Sequence, residues 1–191
     1  MRRSIIAGIV LVLLSGMGVY LIARATAPKS DPTTTGDPSV LSGVSPQTIA
    51  EIAHYQYTQV YTNPTYHFSF KYPKGFTVSA TNGLNNSYVI LVEKLPSPVG
   101  VQILISSFNS PDLDMTPELI HESVPGLPIE NPQVIDVGTP RKGLAFLSNN
   151  QEFGGKSREA WFAFEGNLYQ ISTFAEFAGL LNGVVATLQL K

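Results

Sequence analysis

Tyr66-His67-Phe68-Ser69-Phe70-Lys71-Tyr72 alternates ring and polar side chain without a break. Successive side chains of a strand point to opposite faces. Tyr66, Phe68, Phe70 and Tyr72 would therefore share one face, with His67, Ser69 and Lys71 on the other. A helix would scatter the four rings around its axis, whereas a strand lines them up for burial. Pro73-Lys74-Gly75 then turns the chain, and Phe76 to Ala80 resumes extended.

Outward from this strand, Asn82-Gly83 and Asn85-Asn86 mark a loop before Tyr88–Glu93 (YVILVE), which reads as a strand buried on both faces. Leu95-Pro96-Ser97-Pro98 breaks it, and Val101 to Phe108 (VQILISSF) is a second such strand. Thr116 is placed to cap a helix, with Pro117 at its first position and Glu118 in its first turn, where the dipole favours an acid. Pro125-Gly126 ends it. Gln133 to Val137, Gly143 to Ser148 and Ser157 to Phe164 read as extended, and Glu165-Gly166-Asn167 as a hairpin turn into Leu168 to Thr173. Phe174, Phe177, Leu180, Leu181, Val184, Val185 and Leu188 recur at spacings of three and four, which predicts an amphipathic helix laid on the sheet. Upstream, Ser45-Pro46 predicts a short helix over Gln47 to His54. The expected fold class is α+β, an antiparallel β-sheet flanked by helices, in one domain over residues 46–191.

The first 45 residues follow other rules. Ser4 to Ala23 is a run of twenty residues without a charge, preceded by Arg2 and Arg3 and followed by Arg24. As a helix it spans roughly 30 Å, the thickness of a bilayer's hydrocarbon core. Its length favours a retained transmembrane anchor over residues 1–25, although Ala23-Arg24-Ala25 and Ala25-Thr26-Ala27 also suit signal cleavage. The basic N-terminal flank predicts a cytoplasmic N-terminus with the domain extracytoplasmic, or secreted if cleavage occurs. Residues 26–45 hold Pro28, Pro32, Pro38, Thr33-Thr34-Thr35 and two glycines, the composition of a disordered tether.

Composition narrows the chemistry. The chain has no cysteine, which excludes disulfides, thiolate metal sites and a cysteine nucleophile. From Pro46 onward 8 basic residues face 12 acidic ones, a net charge of −4 that offers no footprint for nucleic acid.

The order of elements resembles the PsbP-like domains, named for an extrinsic lumenal subunit of photosystem II. The resemblance rests on the aromatic strand ending Tyr72-Pro73-Lys74-Gly75-Phe76, on Thr116-Pro117-Glu118 opening a helix, and on Gly166-Asn167-Leu168-Tyr169 followed by the closing helix. It covers residues 57 to 190. It implies an α/β/α sandwich and an extracytoplasmic, accessory, non-catalytic role. No cofactor is expected.

Two groups of side chains are candidate sites. Asp112, Asp114, His121 and Glu122 combine carboxylates with imidazole, a donor set that suits divalent ions; the same residues also read as a solvated helix start. Asp112 to Thr116 spells DxDxT, a phosphoryl-transfer signature, but its antiparallel surroundings do not suit that chemistry. Tyr55, Tyr57 and Tyr61 are candidate binding-surface aromatics, or else core and cross-strand packing. The expected function is a membrane-anchored accessory or binding module that engages a protein or envelope polymer. The alternatives are a metal-dependent hydrolase using Asp112 to Glu122, or a structural subunit whose transmembrane helix carries the interaction.

Overall fold

The computed structural model describes residues 54–97, 99–109, 113–150 and 155–191. The expected anchor, the tether, the helix over Gln47 to His54 (His54 excepted) and Asp112 lie outside them. Among the described residues no helix is long and apolar enough to cross a membrane.

Strands β1 (Tyr57–Asn63) and β2 (Phe68–Pro73) form an antiparallel hairpin. Asn63 builds its turn: the buried side-chain Oδ1 accepts from the backbone N–H groups of Thr65 and Tyr66, at 3.0 and 3.1 Å. A meander follows, of β3 (Thr77–Asn82), β4 (Tyr88–Glu93) and β5 (Gly100–Ser107). Helix α1 (Pro117–Ser123) starts as its sequence requires, with Thr116 Oγ1 accepting from Leu119 N at 3.2 Å. It carries the chain to a second meander of β6 (Glu130–Asp136), β7 (Lys142–Asn150), β8 (Gly155–Phe164) and β9 (Asn167–Phe174). A single 3-10 turn leads into α2 (Ala178–Ala186), and β10 (Gln189–Leu190) returns to β2.

The pairings make two antiparallel sheets. The larger has the order β3-β4-β5-β9-β8-β7-β6, and the smaller β1-β2-β10. The two meanders are joined where β5 pairs with β9. Period-2 alternation gives the large sheet two buried faces. On the first, Ile90, Val92, Ile103, Ile105, Phe162, Tyr169 and Ile171 pack with Phe68 and Phe70 of β2 and with Leu180, Leu181 and Val184 of α2. On the second, Leu144, Phe146, Trp161, Ala163 and Leu168 pack with Met115 and with Ile120 of α1.

Two expectations need correction. The molecule is mostly sheet: its two described α-helices have seven and nine residues, and the small sheet shares the first face with α2. The expected antiparallel sheet forms, but the helices of the expected α/β/α sandwich cover only a small part of it. The closing helix is also shorter than its apolar stripe. Phe174 belongs to β9, where it pairs with Ser157, and Leu188 lies beyond the last turn. Ladder pairing outweighs helical periodicity at that end.

Tyr57 ties α2 to β1. Its hydroxyl donates to the carbonyls of Gly179 and Leu180, at 3.1 and 3.2 Å, and its ring lies where a Cβ on Gly183 would stand. Only glycine leaves room for that approach. Thr187 fastens the other end, its Oγ1 accepting from Lys71 N at 2.9 Å.

These contacts hold neutral phenols. Tyr57 is pushed up to about 12, by burial first and then by neighbouring Tyr55. Burial likewise raises Tyr61 and Tyr169. Unfolded tyrosines ionise near about pH 10, so above that point the native state keeps protons that the unfolded chain has released. The stability contributed is complete below about pH 10 and is lost as pH rises through the native values. Urea midpoints should therefore fall from pH 10 toward 12, and fall less steeply in Tyr57→Phe. Identical slopes in the two proteins would remove Tyr57 as a contributor.

Candidate functional site

Ser157, Glu159 and Trp161 alternate along β8, and their spacing of two puts all three on the second face of the large sheet. Register completes the cluster. Ser172 of β9 lies directly opposite Glu159, and Gln102 of β5 lies opposite Ser172. Glu159 is 2% exposed. Its Oε1 accepts from Ser157 Oγ at 2.7 Å, and its Oε2 accepts from Ser172 Oγ at 2.5 Å and from Trp161 Nε1 at 3.2 Å. A buried carboxylate is costly unless its lone pairs are engaged, and three donors engage these. Trp161 is held in turn by Phe146, whose ring meets it edge-on at 5.8 Å. Of these three bonds, the one from Ser172 ties β8 to β9, while Ser157 and Trp161 brace the carboxylate along β8 itself. Arg158, pointing the other way, donates to Gln133 Oε1 at 3.2 Å, and burial lowers its pKa.

The second constellation is open. His67, just before β2, and Glu165, in the β8–β9 turn, both adopt positive φ, 50° and 46°. Their side chains meet with Nδ1 2.9 Å from Oε2 while each remains about half exposed. They line a shallow groove of about 520 Å³ with Thr62, Asn63, Pro64, Phe68 and Lys191. An exposed pair of this kind contributes little stability, about 0–1 kcal/mol. It joins the turn of the small sheet to the β8–β9 turn of the large one. Tyr169 spans the same junction from below, its hydroxyl donating to the Tyr66 carbonyl at 3.2 Å.

The sequence-derived candidates are distributed as follows. Asp114 Oδ1 accepts from Lys142 N at 2.8 Å, and Met115 N donates to the Lys142 carbonyl at 2.9 Å, so this segment is stapled to the start of β7. His121 Nε2 donates to the Leu127 carbonyl at 2.9 Å, and Glu122 is exposed. The pKa of Glu118, at the helix start, is lowered by its own backbone N–H and then by the Thr116 hydroxyl. Among the described residues no three His, Asp or Glu side chains are grouped to hold a metal ion.

The three tyrosines are half-buried against the first-face core. Tyr55 meets Phe76 edge-on at 5.3 Å and accepts from Lys94 Nζ at 3.3 Å. Tyr61 lies 5.2 Å from Phe70 and accepts from Asn63 Nδ2 at 3.2 Å. Sequence reasoning missed Glu159. The signal was the Ser-x-Glu-x-Trp alternation, which puts the acid on the same strand face as the indole, while Lys156 and Arg158 take the opposite face ahead of Ala160 and Phe162.

No protein-family model matches the chain, and no curated protein matches it. It is similar to the solution structure of cyanobacterial PsbP (CyanoP) from Synechocystis sp. PCC 6803, with 12% identity and a TM-score of 0.47 over 84% of this chain and 100% of that one. It is also similar to a crystal structure from Bacteroides thetaiotaomicron VPI-5482, with 16% identity and a TM-score of 0.44 over 71% of this chain and 49% of that one. Neither likeness carries an argument about function.

Glu159→Ala should leave three donors facing a void and cost about 3 kcal/mol or more, since each buried unsatisfied group costs about 1–3 kcal/mol. Trp161 fluorescence should shift with it at neutral pH, before any denaturant is added. A urea midpoint within error of the parent would show that the carboxylate holds nothing.

Proposed function

We propose that the chain is a membrane-tethered accessory module of PsbP-like type, which presents its sheet domain outside the cytoplasm to a protein or envelope polymer. The observation that carries this reading is the uncharged run Ser4 to Ala23, behind Arg2 and Arg3 and ahead of a Pro- and Thr-rich segment. On this reading residues 1–25 anchor, residues 26–45 tether, and residues 46–191 form the module. The tether's r.m.s. span is roughly 25 Å, enough to lift the domain clear of the headgroups.

Protease added to intact spheroplasts expressing the full chain should release a fragment that begins within residues 26–53. It should leave the N-terminal segment in the membrane. Complete protection until lysis would place the domain on the cytoplasmic side and overturn the reading.

A further inference from the structure

Exposed sheet edges invite pairing with another chain, and folded proteins blunt them with charge, proline, bulges or brevity. Among the described residues, three of the four sheet edges are treated in that way. The β6 edge carries Glu130, Pro132 and Asp136, a register break between Glu130 and Gln133, and Asn131 at φ 50°. The β1 edge is broken by a register shift between Tyr57 and Gln59, and β10 has two residues. The β3 edge has none of these devices. Its sequence, Thr77-Val78-Ser79-Ala80-Thr81-Asn82, has no charge and no proline. Its register on β4 runs unbroken from Thr77 opposite Glu93 to Asn82 opposite Tyr88. Among the described residues β3 has a strand neighbour on one side only, and five of its six residues are exposed, Val78 being the half-buried one.

We infer that β3 is a self-association edge, pairing antiparallel with β3 of a second copy about a two-fold axis at Ser79. A two-fold perpendicular to a sheet preserves its faces, so residues of like parity must meet. With Ser79 opposite Ser79 of the second copy, Thr77 faces Thr81 and Val78 faces Ala80. Hydroxyl then pairs with hydroxyl on one face and apolar with apolar on the other, the cross-strand matches that stabilise a ladder. No like charges oppose each other, because the strand carries none. The two large sheets become one continuous sheet, and the open N–H and C=O groups of both edges are paired. The inference holds whether or not residues 4–23 span a membrane.

The absence of cysteine from the chain makes the test direct. Directly opposed residues in an antiparallel pair have Cα atoms about 4.5 or 5.5 Å apart, within the range a disulfide bridges. Full-length Ser79→Cys in mild detergent should oxidise to a covalent dimer at least tenfold faster than Val134→Cys, an exposed position on the blunted β6 edge. Thr77→Cys and Thr81→Cys should cross-link with each other, and more slowly each with itself. Adding Ser79→Lys to both chains should remove that heterotypic cross-link, since two lysines would then face each other across the axis. A Ser79→Cys rate equal to that of Val134→Cys would overturn the inference. So would faster cross-linking at Val60→Cys, which would assign the interface to β1.

Discussion

Phe68 and Tyr169 meet edge to face, with ring centroids 5.6 Å apart, and Tyr169 in turn stacks on Phe162 at 4.8 Å with the planes 9° apart. Phe68 belongs to the small sheet; the other two belong to the centre of the large one. Neither sheet could stand alone. The small sheet is a hairpin extended by only the two residues of β10, too little to be stable in water, and a large sheet with one bare apolar face would aggregate. All three rings are almost wholly buried, and each contributes far more area than an aliphatic side chain could at the same site. The remaining elements depend on that layer. Helix α2 fills the first face beside it, and Tyr61 and Phe70 continue it along β1 and β2. The hydroxyl of Tyr169 reaches out to the Tyr66 carbonyl, so one side chain fixes both the spacing and the lateral position of the two sheets.

The second face is held by a different kind of constraint. Apolar packing is non-directional and tolerates sliding, whereas the Ser172 hydroxyl of β9 reaches Glu159 in a single register of β8 on β9, Ser157 and Trp161 donating from β8 itself. A slip of one residue would turn Glu159 onto the aromatic face and Phe162 away from it. The buried carboxylate thus guards the pairing on which the aromatic layer depends, since Tyr169 and Phe162 are themselves cross-strand partners in that same ladder.

Much of this was legible in the sequence because the signals were local. The ring alternation of Tyr66 to Tyr72 gave β2, although His67 at positive φ starts the strand later than the pattern implies. Thr116-Pro117-Glu118 gave the start of α1 to the residue, since capping is decided within one turn. Tyr88–Glu93 emerged as β4 with the boundaries its composition suggested. What could not be read was non-local. Nothing in the linear order announces that β9 enters between β5 and β8, or that three strands peel away to form a second layer. The length of α2 depended on Phe174 finding Ser157 across a ladder. Glu159 was hidden for the same reason: an acid in a strand looks solvent-facing until the partner strand supplies Ser172 and the alternate positions of its own strand supply Ser157 and Trp161. Of the sequence-derived site residues, Asp114 and His121 proved to bond backbone groups of their neighbours, contacts that no residue spacing could specify.

The fold depends on the two sheets forming one cooperative unit through the Phe68–Tyr169–Phe162 layer. Native-state hydrogen exchange measures this directly, because it reports the opening free energy of each amide separately. The amides of Phe68 and Phe70 in β2 should open with the same free energy as those of Tyr169 and Ile171 in β9, and that value should match global unfolding. If the β2 amides exchange through a markedly cheaper opening while β9 keeps its protection, the small sheet is a detachable flap, and the aromatic layer is not what holds the fold together.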